Sequence, residues 1–248
     1  MITRATWADK YRDQDRPNGP QYAGTHNWHF VDTPLSTGTS KAAVTAAIAQ
    51  LCPHPTLSGP ASLGAPADDC VVDKIKQFEA ELADKTAPQA ERVFALEFLL
   101  HFVGDVHQPL HSTDDNDQGG NCVFIHGGPN GQQMKLHAYW DTRVIEILMN
   151  GATAANYGKS LKSQITPAQK AAWGTDDPTA WAIEAFKEGK AKAYKLNVTP
   201  LPNCDHPNHG AAVIALPANY ESDATTAAKI QLEKAGVRLA FVLNKALS

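Results

Sequence analysis

No apolar run in this 248-residue chain is long enough to cross a bilayer. The longest, around Phe94 to Val103, is short and carries Glu97, with His101 inside it. An excess of basic charge is missing too. Lys and Arg total 22 against 26 Asp and Glu, a formal net charge of -4, which argues against a broad basic groove as the route to nucleic acid. It leaves room for a phosphate-bearing substrate, because bound divalent ions would invert the sign locally. Cysteine is sparse. Cys52, Cys70, Cys122 and Cys204 form no CxxC pair, so thiolate zinc sites are not expected. They suit two disulfides if the protein is exported and four free thiols if it is not. Repeats and low-complexity linkers are absent, strand-like alternation is scarce, and Met1 to Trp7 do not read as a secretory leader.

What is present is an ordinary globular composition, 43% apolar and 19% charged, able to bury a large core without staples. By length alone it is one large domain or two small ones. The segment 52–70 is rich in Pro, Gly, Ser and Ala and reads as a loop that a Cys52–Cys70 disulfide could close. Val71, Val72, Ile75, Phe78 and Leu82 recur at helical spacing over 71–84. Pro88 suits the first turn of a helix over 88–106 that is apolar nearly all round and therefore central to the core. Further helices are predicted at 135–150, 167–173, 178–195 (Asp177 and Pro178 as cap and first turn) and 222–247. The last is capped by Ser222 or Asp223, with Ala227, Ile230, Leu232, Ala235, Leu239, Val242 and Leu243 facing in. A short ribbon is expected near 121–126 and 132–136. The fold class is mainly α, with long loops.

Chemistry concentrates between His101 and Asp141, where five of the ten histidines lie: His101, His107, His111, His126 and His137. His101 and Asp105 are four residues apart on a predicted buried helix, so they share a face. His137 and Asp141 repeat that spacing. Pro109 should end or kink the helix near Gln108, which leaves the placement of His111 undetermined. Each pair alone could be a capped or surface histidine. Together they need a joint partner, because buried imidazole and carboxylate must be satisfied, and both are ligands suited to zinc.

The run His101-Phe102-Val103-Gly104-Asp105-Val106-His107-Gln108-Pro109-Leu110-His111, followed by Gly119-Gly120-Asn121 and by His137 with Asp141, resembles the S1/P1 nuclease family of zinc-dependent enzymes. The likeness extends upstream to Thr6-Trp7-Ala8-Asp9-Lys10-Tyr11-Arg12 and Trp28-His29-Phe30-Val31-Asp32-Thr33-Pro34. Downstream it reaches Ala235-Gly236-Val237-Arg238-Leu239-Ala240 with Leu243-Asn244. It implies a single multi-helix domain over 1–248 of the phospholipase C/P1 nuclease type, with at most a small β-ribbon. It implies one zinc ion on Asp9, His29, His101 and Asp105, and a second on His111, His137 and Asp141. A third would share Asp105, which orients the zinc-bound water. His107 has no ligand role in the family and reads as a hydrogen-bonding core residue. His126, His206 and His209 read as surface histidines.

The expected reaction is hydrolysis of single-stranded DNA and RNA to 5′-phosphate products, with 3′-nucleotidase activity beside it. By resemblance, Asp32 and Asn121 bind a base edge and Phe30 lies against its face. Without the family, Asp32 is a loop carboxylate and Asn121 a turn residue. The third zinc also needs an N-terminal Trp and a nearby His. These belong about 35 residues ahead of Asp9, and a start that far upstream would also supply a secretory leader. Trp7 and His26 cannot stand in, since both belong to motifs already assigned. Truncation is the expectation, and a natural two-zinc variant the alternative. The implied setting is a secreted or periplasmic monomer. Two other readings remain. A zinc-dependent phospholipase C is disfavoured by Asp141 in place of Glu and by His107 in place of Asn. A catalytically weak zinc-binding protein would follow from loss of the third set. The sequon at Asn197 is a weak signal for a glycan.

Overall fold

Pro88, with its fixed φ, stands at the N-cap of a 17-residue helix, α4 (Gln89–Asp105), around which the molecule is organised. The computed structural model describes residues 4–14, 25–52, 69–196 and 213–248. The expectations for Asn197, Cys204, His206 and His209, and most of segment 52–70, lie outside them.

Ahead of α4 come α1 (Trp7–Gln14), a 3₁₀ turn (Thr25–His29), α2 (Lys41–Leu51) and α3 (Val71–Ala83). After it come a second 3₁₀ turn (Pro109–His111) and an antiparallel ribbon of β1 (Phe124–His126) and β2 (Gln133–Lys135), with Ile125 opposite Met134. Then follow α5 (Leu136–Ala138), a π-helical turn (Tyr139–Arg143) and α6 (Val144–Met149). The chain continues through α7 (Ala154–Gln164), α8 (Pro167–Trp173), α9 (Pro178–Glu188), a second π turn (Gly189–Ala193) and α10 (Tyr220–Leu247). The described residues are thus mainly helical, and none of their helices is long and apolar enough to cross a membrane.

The principal core lies along the α3–α4 seam. Phe78 and Phe98 stack with ring centroids 4.7 Å apart, and Phe94 and Phe102 each lie 4.9 Å from Phe98. Trp28, Trp181 and Phe186 close around them. A second cluster, with Leu110, Ile125, Leu136, Tyr139, Trp140 and Tyr220, sits under the ribbon and the π turn. Cys52 and Cys70 are disulfide-bonded and close the 52–70 segment. Next to that bond, the fully buried Lys74 ammonium reaches Asp69 at 2.7 Å and lies 4.0 Å over the Trp28 ring.

Several sequence expectations need correction. The last helix begins at Tyr220, so Ser222 and Asp223 lie inside it; Asn219 is the N-cap, and the Ser222 hydroxyl donates back to the Asn219 carbonyl. Ile230 on α10 is 41% exposed, while Gln231, Glu233 and Arg238 are buried, because this helix meets a polar junction as well as the apolar core. Val93 on α4 is 47% exposed, so that helix has a solvent edge. The stretch 135–150 is broken by a π turn, and the helix from Pro178 ends in another. Helices α1, α2 and α7 were not predicted.

Phe98→Ala is expected to cost about 3–5 kcal/mol of stability, since a buried ring with aromatic neighbours on several sides leaves a cavity that cannot collapse. Urea unfolding in EDTA measures it. A loss below roughly 1 kcal/mol would show that the seam is not the core.

Candidate metal centre

The seven predicted ligands come from separate stretches of the chain that packing and tight turns set in place. Trp7 stacks on Tyr11 at 4.8 Å and meets Phe94 and Phe98 edge-on at 5.3 Å, which docks α1 on α4 and sets Asp9 near His101. Buried Trp28 anchors the 3₁₀ turn that ends at His29. On α4, Phe98 and Phe102 face the core, while Asp105 opens onto a cleft. His111 ends the 3₁₀ turn that Pro109 opens. His137 is on α5 and Asp141 in the π turn that follows.

The structure brings the seven side chains together. His101 Nε2 lies 3.3 Å from Asp9 Oδ1 and 3.1 Å from Asp105 Oδ2, and His29 Nδ1 lies 2.9 Å from the same Asp105 oxygen. His111 Nε2 is 3.3 Å from Asp141 Oδ1, and His137 Nε2 is 3.2 Å from Asp141 Oδ2. Asp105 joins the two sets, its Oδ1 being 3.6 Å from His111 Nδ1. Asp9, His29 and His101, and separately His111, His137 and Asp141, bring their donor atoms close enough to hold one ion each. A third cluster among the described residues, Cys52, Cys70 and Asp73, is excluded as a thiolate site because its sulfurs form the disulfide.

Backbone carbonyls orient three of the rings. The Nδ1–H groups of His101, His111 and His137 donate to the carbonyls of Ala5 (2.6 Å), His29 (3.1 Å) and Gly119 (2.8 Å), which turns each Nε2 inward. Gly119 has φ +59°, and a Cβ there would stand 2.6 Å from the Leu110 carbonyl oxygen, so glycine is required beside His137. His101 Nε2 and His111 Nε2 are buried and complete no hydrogen bond of good geometry despite the carboxylates beside them. Lone pairs aimed at a common point but not at each other suit a cation better than a hydrogen-bond network.

Electrostatics agree. Burial pushes His101 and His111 down, but the neighbouring carboxylates outweigh it and lift them to about 10 and about 9. Burial likewise pushes Asp105 and Asp141 up, yet the imidazoles hold both well below the usual carboxylate range. Protons on the histidines thus do the charge balancing that a bound cation would do.

Nine of the ten predicted site residues line one cleft of about 1220 Å³; His101 contacts Asp9 and Asp105 without lining it. Phe30, Asp32 and Asn121 are on its wall, with His26 edge-on to Phe30 at 5.5 Å. Burial, reinforced by Asp114, pushes Asp32 up to about 7, so its carboxyl can both donate and accept near neutrality. Sequence reading gave no role to Arg12 or Lys135, which also line the cleft. Arg12 follows Asp9 by three residues on α1 and sits 3.1 Å from it. That spacing was the available signal, as was the position of Lys135 two residues before His137. His107 is buried: its Nδ1–H donates to the Val103 carbonyl at 2.7 Å, and Nε2 accepts from Arg238 at 2.7 Å. His126 is exposed.

A mainly helical chain whose aspartates and histidines form two linked ligand sets in an open cleft belongs to the class of candidate polynuclear metal proteins. The family model for S1/P1 nuclease matches residues 1–248, and the chain belongs to that family. It is 28% identical to endonuclease 3 of Arabidopsis thaliana, over 92% of this chain and 72% of that protein. To nuclease P1 of Penicillium citrinum it is 28% identical, over 71% of this chain and 66% of the relative. To nuclease S1 of Aspergillus oryzae it is 29% identical, over 73% and 60%.

The pKa shifts dictate a pH dependence. Groups raised above their ordinary 6.5 contribute stability that is complete below that value and lost as pH rises through the folded values, here about 9 to about 10. The urea midpoint in EDTA should therefore fall between pH 7 and 10, and fall less in Asp105→Asn. A flat profile in the unmutated chain would show that the imidazoles are not charged by these carboxylates.

Proposed function

We propose that this chain is a zinc-dependent nuclease that hydrolyses single-stranded DNA and RNA to 5′-phosphate products and also acts as a 3′-nucleotidase. The observation that carries this reading is the convergence of the buried His101 and His111 Nε2 atoms, which complete no hydrogen bond of good geometry, with the carboxylates of Asp9, Asp105 and Asp141 in a cleft that also presents Arg12 and Lys135. The relatives are named as nucleases, which favours nucleic acid over phospholipid. The donor set fits zinc: Asp9, His29, His101 and Asp105 would hold one ion, and His111, His137 and Asp141 another. Zinc supplies Lewis acidity and a source of hydroxide near neutral pH.

The chain's own groups supply the rest. Asp105 keeps His29 and His101 in place and links the two ligand sets. The Arg12 guanidinium is placed to donate to phosphate oxygens as charge builds on them. Lys135 extends positive charge along the wall toward a neighbouring phosphate. Phe30 offers a stacking face, while Asp32 and Asn121 offer polar groups to a base edge, which selects strands whose bases can leave the stack. We read the protein as a single exported domain, since the Cys52–Cys70 disulfide suits an oxidising compartment.

The test is release of 5′-nucleotides from single-stranded DNA by the 248-residue chain with added Zn²⁺ or with EDTA. EDTA-sensitive release supports the reading; turnover indifferent to EDTA sinks the zinc assignment, and its absence with zinc bound favours a binding protein. His111→Ala should lose one zinc ion and nearly all turnover. Arg12→Ala should keep its zinc content and lower kcat about 10²–10³-fold. A change confined to KM would show that Arg12 binds substrate without serving the transition state. Asp32→Ala should raise KM or blur base preference at unchanged zinc content, and lost zinc would make Asp32 structural.

A further inference from the structure

The side chain of Gln108 touches both arms of the second ligand set. Its Nε2 donates to Asp141 Oδ1 at 2.7 Å, and its Oε1 accepts from the Leu110 N–H at 2.5 Å, capping the 3₁₀ turn that ends in His111. The two contacts fix each other. A backbone N–H only donates, so the amide oxygen must lie at Leu110 and the NH₂ group must face Asp141. The backbone is restrained as well, because Gln108 precedes Pro109 and is extended, with φ -78° and ψ 121°. Asp141 needs such a restraint. Its side chain is 37% exposed, and a carboxylate on an open rim rotates easily about its last torsion.

We propose that Gln108 is the positioning residue of the second metal site. One amide sets the separation of His111 from Asp141 and the rotation of the Asp141 carboxylate, keeping the donors of His111, His137 and Asp141 converged. The inference rests on the zinc reading above. Groups that hold a ligand in this way typically change metal affinity by about 10–100-fold when removed.

Gln108→Ser separates the two contacts. Serine can cap a helical turn with its short hydroxyl but cannot reach Asp141. Gln108→Ala removes both. Apo wild type and variants are titrated with Zn²⁺ against a chromophoric chelator, bound zinc is counted by elemental analysis, and each protein is melted in EDTA. Wild type is expected to hold an ion at each ligand set. Gln108→Ser should bind one of them about 10–100-fold more weakly, leave the other unchanged and melt with wild type. Gln108→Ala should lose at least as much. Wild-type affinity in Gln108→Ser overturns the assignment. So does a melting temperature in EDTA that falls with the affinity, which would make Gln108 a residue of the fold. A wild type that binds no zinc would instead remove the metal reading, and this inference with it.

Discussion

The structure is arranged around one buried carboxylate. Asp105 ends α4, where helix carbonyls already place partial negative charge, and it is 9% exposed. A carboxylate there is stable only if positive charge is brought to it. Two imidazoles supply that charge, His101 from one helical turn back and His111 from the turn beyond, while His29 from the first 3₁₀ turn, which burial disfavours as a cation, adds a hydrogen-bonding contact at 2.9 Å. The demand of this one group therefore gathers chain from distant parts of the sequence.

Apolar packing helps to deliver those partners. Three of the ligands stand beside a tryptophan that packs into the molecule: Asp9 two residues after Trp7, His29 after Trp28, and Asp141 after Trp140. An indole has a large buried area and few rotatable bonds, so it fixes the backbone next to it at low entropic cost. The turn from Asp105 to His111 is also held from the core side. His107 accepts from Arg238 on α10, Arg238 spans both oxygens of Glu184 on α9 at 3.0 and 2.9 Å, and Trp181 lies 5.6 Å from the His107 ring. Burial and the Arg238 charge push His107 down to about 3, so it stays a neutral acceptor through the physiological range. This explains why α10 buries Arg238, which a hydrophobic pattern assigns to solvent.

The parts of the fold legible in the sequence were those governed by a short-range rule. Spacing of four on α4 placed His101 with Asp105, and Asp177-Pro178 marked the start of α9 through a cap bond to the Ala180 N–H. Helices α2 and α7 escaped because each buries little, Val44 with Ile48 in one and Leu161 in the other, so no apolar stripe stands out. The π turn at Tyr139–Arg143 was illegible for another reason. It is one residue wider per turn than an α-helix, which periodicity cannot show, although His137 and Asp141 were still paired correctly. Gln108 read only as the point near which Pro109 ends the helix, because its contact partner, Asp141, is 33 residues away.

On the zinc reading proposed above, charge would set the order of events in the cleft. Asp9, Asp32, Asp105 and Asp141 line it against Arg12 and Lys135, in a chain whose net charge is -4. A polyanion approaching the ligand sets would meet carboxylates whose compensation is held on shared imidazole protons rather than offered outward. A divalent ion held by these ligands would displace those protons and leave local positive charge facing the cleft. On the zinc reading proposed above, the geometry that balances these carboxylates with imidazole protons is also the one that would favour a bound cation. Cation binding and substrate binding would then be linked steps, with the cation first.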